Sequence, residues 1–163
     1  MIGRTSGSDT PTPDLRAKAT EGGVRAGGID PAAVEAARAV VRARGARYLD
    51  SLFADIAALE AELGVVAARG SAAALAAIAR RARAMRAHGT TYGYGLVTRL
   101  AGSLYDFCGS ATGREDEIEV IEMHIQALKA VAGGRMTGDG ALAGRDLVHA
   151  VEEAVSATAG ARG

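Results

Sequence analysis

Tryptophan is absent from this 163-residue chain, and its aromatic content is limited to two Phe and four Tyr. A core that must be built from Ala, Leu, Val and Ile suits helices packed at close range better than a sheet sandwich. Lysine occurs only at Lys18 and Lys129, so nearly every cation is arginine, a pattern we attribute to coding bias and not to binding. Basic and acidic residues balance to a net charge of zero, so no global field attracts nucleic acid or a membrane surface. A single cysteine, Cys108, excludes an intrachain disulfide. It follows Leu104, Tyr105 and Phe107 in an apolar stretch and reads as a buried structural thiol. There is no secretory signal pattern, and no apolar run comes near the roughly 18 residues of a membrane span. These absences lead us to expect a soluble, cytoplasmic protein.

What the chain does contain is helical periodicity. Residues 1–29 are rich in Gly, Ser, Thr and Pro with little periodic apolarity, and we expect a disordered tail there. A helical-bundle domain is expected over residues 30–160. Asp30 can cap its first helix, and Pro31 sits where a missing N–H costs nothing. Leu49, Leu52, Phe53, Ile56, Leu59 and Leu63 form one apolar stripe. Pro31 to Leu63 reads as one long helix or as two kinked at Gly45, with an interruption from Gly64 to Gly70. Ser71 is placed to cap a second helix running to about His88, whose inner seam is Leu75, Ile78, Ala82 and Met85. Gly89-Thr90-Thr91 ends or weakens it, and a third helix runs from about Tyr92 to Cys108 through Leu96, Leu100, Leu104 and Phe107. Thr112 stands near the next cap, where Glu115, Asp116 and Glu117 suit the positive end of a helix. Ile118, Ile121, Ile125 and Leu128 line that fourth helix up to Gly133-Gly134, and a last one carries Leu147, Val151 and Val155 to Gly160. Nothing alternates with period two. The expectation is an all-α antiparallel bundle of four or five helices.

The segment Arg80 to Leu100, R-R-A-R-A-M-R-A-H-G-T-T-Y-G-Y-G-L-V-T-R-L, resembles the active helix of histidine phosphotransfer (HPt) domains. Those four-helix bundles carry a phosphoacceptor His, then Lys, Gly and a second Gly at spacings that here select Arg83, Arg86, Ala87 and Gly93. Upstream, Y-L-D-S-L-F-A-D-I-A-A-L-E from Tyr48 to Glu60 is similar to the family's first helix. Downstream, L-V-T-R-L-A-G-S-L-Y from Leu96 to Tyr105 is similar to the helix after the motif. The likeness covers Arg44 to Phe107. It implies an HPt-like bundle that docks with a response-regulator receiver domain or a histidine kinase. Arg83 stands where the acceptor His belongs, and a guanidinium stays protonated and is a poor nucleophile. The resemblance therefore implies a pseudo-phosphotransfer protein that binds without accepting phosphate, with Ala87 as the small neighbour.

Helical geometry places these residues independently. At about 100° per residue, Arg80, Arg83 and Arg86 share an outward arc beside the apolar seam, with Arg81 on the far side. The plain reading is a solvated arginine face; the functional one is a docking surface for receiver carboxylates. One ring of Tyr92 or Tyr94 borders that surface beside Arg86 in the functional reading, and packs on a neighbouring helix in the plain one. His88 lies roughly 140° around the helix from Arg83 and would accept phosphate only in a shifted register or from a partly unwound helix end. Glu122 and Gln126, one turn apart, resemble the acid and Gln pair of helical chemotaxis phosphatases, where Gln orients the attacking water. That makes a phosphatase of phosphorylated receivers the enzyme alternative. A homodimeric helical adaptor packing through alanine-rich faces is a third reading. His124 reads as a semi-buried structural residue and His149 as exposed. The glycines from Gly134 to Gly144 follow a helix and read as a flexible link, not a phosphate loop. No metal or other cofactor is assigned to this chain; magnesium would belong to the receiver.

Overall fold

The computed structural model describes residues 30–161, and the tail expected over residues 1–29 lies outside them. Among the described residues five α-helices follow one another: α1 Pro31–Arg69, α2 Ala72–Gly89, α3 Gly95–Cys108, α4 Glu115–Gly133 and α5 Ala141–Gly160. A single 3-10 turn, Thr90–Tyr92, links α2 towards α3. There is no strand among the described residues, so the fold class is all-α. No described helix is long and apolar enough to cross a membrane.

The chain divides into two compact units between Ala39 and Val40. The described part of the first holds the start of α1, where the Asp30 carboxylate accepts the Ala32 N–H at 3.0 Å. Glu35 and Arg38 form an exposed ion pair there.

The second unit is a helical bundle with α3 at its centre, packed against α2, α4 and α5. Leu96, Val97, Leu100, Ala101, Leu104 and Phe107 of α3 are all buried. Leu49, Leu52, Ile56 and Leu59 enter the same core from α1, and Leu75, Ile78, Ala82 and Met85 from α2. Ile121, Ile125 and Leu128 come from α4, and Val148 and Val151 from α5. Each buried Leu or Ile contributes about 1.5–3 kcal/mol, so these seams set the rotation of every helix. The direction of the helices follows from their cross-contacts. Tyr48 of α1 stacks on Tyr92 beyond the end of α2, Asp55 meets Arg81, and Val66 lies beside Gly113 ahead of α4. Neighbouring helices therefore alternate in direction from α1 to α4.

Two sequence expectations need correction. Gly64 does not interrupt α1, and Gly45 does not divide it; one helix runs through both to Arg69. Neither glycine has a neighbour within 4 Å of where a Cβ would lie, so each costs only helix propensity, about 1 kcal/mol. Burial of Leu59 and Val66 on either side of Gly64 outweighs that cost. Gly70, at a φ of +59°, marks the end. Phe53 does not join the apolar stripe: it is 47% exposed, because it falls one residue beyond Leu52 and about 100° off the seam. Thr112 does stand near the cap of α4, two residues ahead of Arg114, which occupies the cap position, and the backbone N–H and hydroxyl of Thr112 both donate to Glu117.

Glu117 gathers that turn. Its buried carboxylate also accepts the N–H groups of Gly113 and Arg114, at 2.8 and 3.1 Å. Burial alone would raise its pKa, but the donors from Thr112, Arg114 and Gly113 outweigh it and hold the carboxyl below its ordinary range. At the opposite end of the bundle, α2 ends at Gly89, as its sequence leads one to expect, and that glycine is buried. A Cβ at Gly89 would stand 2.5 Å from Thr98 Oγ1 and 2.8 Å from Thr98 N. The end of α2 touches α3 at that point, and Thr90 N–H donates to Thr98 Oγ1 at 2.8 Å.

Two alanine substitutions should therefore move stability in opposite directions. Gly64→Ala, in open helical space, should raise unfolding free energy by about 0.5–1 kcal/mol. Gly89→Ala should lower it by about 1–3 kcal/mol through overpacking. Urea unfolding of the two variants beside the parent protein checks both signs.

Candidate functional site

The buried arc of α2 decides what the helix shows to solvent. Arg80, Arg83, Arg86 and Ala87 are all exposed. None of the three arginines has an ion-pair partner among the described residues. Arg86 leans towards α3, its Cδ 3.4 Å from where a Cβ of Gly102 would stand. Arg81 is different: its Nη1 meets Asp55 Oδ1 of α1 at 2.8 Å, with both side chains about one-third exposed. Its Nε is buried and has no hydrogen-bond partner among the described residues. One helix thus carries an ion-paired arginine on the flank facing α1 and a row of arginines without an ion pair among the described residues on its outer face.

The flank facing α1 holds a groove of about 860 Å³. Its floor is aromatic and apolar, with Tyr48 and Leu52 of α1 and Met85 of α2. Its walls carry Arg44, Arg47, Asp55 and His88. The Tyr48 and Tyr92 rings stack at a centroid distance of 4.5 Å and an interplanar angle of 13°. Tyr94 is buried against the other side of this cluster, 5.4 Å from Tyr48. Tyr92 itself is 40% exposed and faces α1, whereas Arg86 lies towards α3. His88 is exposed and belongs to this groove, not to the outer arginine face. Tyr48 is 8% exposed, yet its hydroxyl has no hydrogen-bond partner among the described residues. Burial, with Asp55 nearby, pushes its pKa up to about 12, so the phenol stays a neutral donor.

On α4, Glu122 and Gln126 are both exposed. They border a second groove, of about 550 Å³, whose apolar side is made by Met123, Ala127, Leu147 and Val151. His124 points the other way and is fully buried, deeper than the semi-buried position its sequence suggests. Its Nδ1 lies 2.8 Å from the Val120 carbonyl and its Nε2 2.9 Å from Ser103 Oγ. The neutral ring satisfies both by donating to the carbonyl and accepting from the hydroxyl. Burial lowers its pKa, opposed in part by the Val120 hydrogen bond. His149 is exposed, within 3.8 Å of Glu153. Cys108 is buried, and its thiol is pushed up to about 12 by desolvation, so it is no nucleophile at neutral pH. Among the described residues, no three His, Cys, Asp or Glu side chains converge as a metal ion would need.

The residues selected from the sequence therefore fall on three separate surfaces: the outer face of α2, the groove between α1 and α2, and the groove between α4 and α5. Sequence reasoning missed Arg44, Arg47 and Tyr48 as members of one groove. The available signal was the step of three to four residues, which puts all of them on one side of α1. No family model matches the chain, and no match is found among curated proteins or solved structures.

The buried imidazole makes a pH dependence. Its folded pKa lies below the ordinary 6.5, so the unfolded chain binds a proton that the folded one refuses. Stability should be unaffected above that value and fall as pH drops below it, by up to about 1.4 kcal/mol per pH unit. Urea midpoints between pH 7.5 and pH 5.5 should show the fall in the parent protein, and His124→Gln should remove it.

Proposed function

We propose that this chain is an HPt-like pseudo-phosphotransfer protein of two-component signalling, which binds a response-regulator receiver domain or a histidine kinase without accepting phosphate. The observation that carries this reading is the Arg83 side chain: exposed, without an ion-pair partner among the described residues, and on the outer face of a bundle helix. A receiver presents a cluster of carboxylates around its phosphorylatable Asp. Arg83, with Arg80 and Arg86 a turn to either side, can meet those carboxylates through charge-assisted hydrogen bonds. Ala87 keeps the surface beside Arg83 low, so the partner can approach. The guanidinium cannot carry a phosphoryl group, so the complex ends at binding.

A second reading rests on a separate observation. Glu122 and Gln126 stand exposed one helical turn apart beside the groove between α4 and α5. In a receiver phosphatase, Glu122 would anchor a basic residue of the receiver while Gln126 orients water against its aspartyl phosphate. This reading needs the same partner class but a different face.

Incubation with a phosphorylated receiver domain, followed by calorimetry and phosphate analysis, separates the two. Pseudo-phosphotransfer binding should weaken at least about tenfold in Arg83→Glu, with no phosphoryl adduct on this chain. Phosphatase action would instead shorten the receiver's phosphorylated lifetime, an effect that Gln126→Ala should abolish while Arg83→Glu leaves it unchanged. An acid-labile adduct that disappears in His88→Gln would contradict the proposal. So would a stable dimer in sedimentation whose interface buries the arginine face.

A further inference from the structure

The groove between α1 and α2 has two properties that the docking face does not need. It is cationic without being neutralised. Arg44 and Arg47, one turn apart on α1, are exposed and have no ion-pair partner among the described residues, and His88 faces them from α2. The one carboxylate in the groove, Asp55, is already engaged by Arg81. It also contains an unsatisfied hydroxyl. A buried phenol without a hydrogen-bond partner is unfavourable, and the usual resolution is a partner that arrives with a ligand or water.

We infer that this groove is a binding site for a small amphipathic carboxylate, whose apolar body lies on Tyr48, Leu52 and Met85 and whose anionic head lies between Arg44, Arg47 and His88. The volume of about 860 Å³ is within the range of small-molecule sites. The charge of the walls selects an anion, and the arginine fork favours the planar, two-oxygen geometry of a carboxylate. The apolar floor asks for hydrocarbon attached to it. Tyr48 supplies a neutral O–H that can donate to an acceptor on the ligand, and Tyr92, partly exposed on the 3-10 turn, stacks on its ring. The site lies on the opposite flank of α2 from the Gly102 contact of Arg86, so it stands or falls apart from the receiver-docking reading.

Octanoate is a suitable probe, with octanol as its uncharged counterpart, and the tyrosines give a fluorescence signal free of tryptophan. Titration of the full chain should show octanoate binding at least about tenfold tighter than octanol. That preference should vanish in the double variant Arg44→Gln with Arg47→Gln, and persist in Arg80→Gln with Arg83→Gln. Tyr48→Phe should melt at a higher temperature than the parent protein when free, yet bind octanoate several-fold more weakly. Absence of binding at millimolar octanoate, equal affinity for octanol, or unchanged affinity in Tyr48→Phe would overturn the assignment. A dimer that dissociates only in the Arg44 and Arg47 variant would overturn it in favour of a second copy of this chain.

Discussion

Helix α2 touches its neighbours through an arc of small and medium side chains, Leu75, Ile78, Ala82 and Met85, that closes on Gly89 against Thr98 of α3. Because Ala82 and Gly89 bring so little bulk, the helix comes close to α3, and its rotation has little latitude: a turn of one residue would swing an arginine into the core. An uncompensated buried guanidinium costs several kcal/mol, far more than any surface interaction could return. The packing of the inner arc is therefore what distributes the arginines. Arg80 and Arg83 are left on the outer face, Arg86 is exposed but leans along α3, Arg81 is left against α1, and His88 turns towards the groove.

That distribution separates two electrostatic environments on one short helix. Arg81 is partly desolvated and matched to Asp55, so it acts as a strut between α1 and α2. The outer arginines meet no acid among the described residues, which leaves their charge open to a partner. The groove is intermediate: its arginines are solvated, but they stand beside a desolvated phenol and an apolar floor. Arg81 and the outer arginines thus differ not in residue type but in whether a described residue gives them an anion.

Much of the architecture was legible in the chain because it depends on period. The seams of α2 and α3 and the core face of α4 are the residues that three- and four-residue steps select, and all but the half-buried Ile118 are buried. What was not legible depends on magnitudes that a pattern does not carry. Gly64 looks like a break, but one residue's propensity is outweighed by Leu59 and Val66 on either side. Gly89 does end α2, but the pattern does not carry its close contact with Thr98. Periodicity showed His124 near the seam, but only the Ser103 hydroxyl and the Val120 carbonyl explain how a full imidazole can be buried. The outward setting of Arg83 was readable from α2 alone. The groove was not, because it needs α1 and α2 together and residues separated by some forty positions.

The rotational setting of α2 is the claim on which both surfaces rest, and thiol accessibility measures it directly. In a Cys108→Ala background, single cysteines placed along residues 78–87 would be labelled with a soluble maleimide. The structure requires rapid labelling at positions 80, 83, 86 and 87 and strong protection at 78, 82 and 85. Protection at 83, or labelling that rises smoothly along the helix with no three- to four-residue period, would contradict the account.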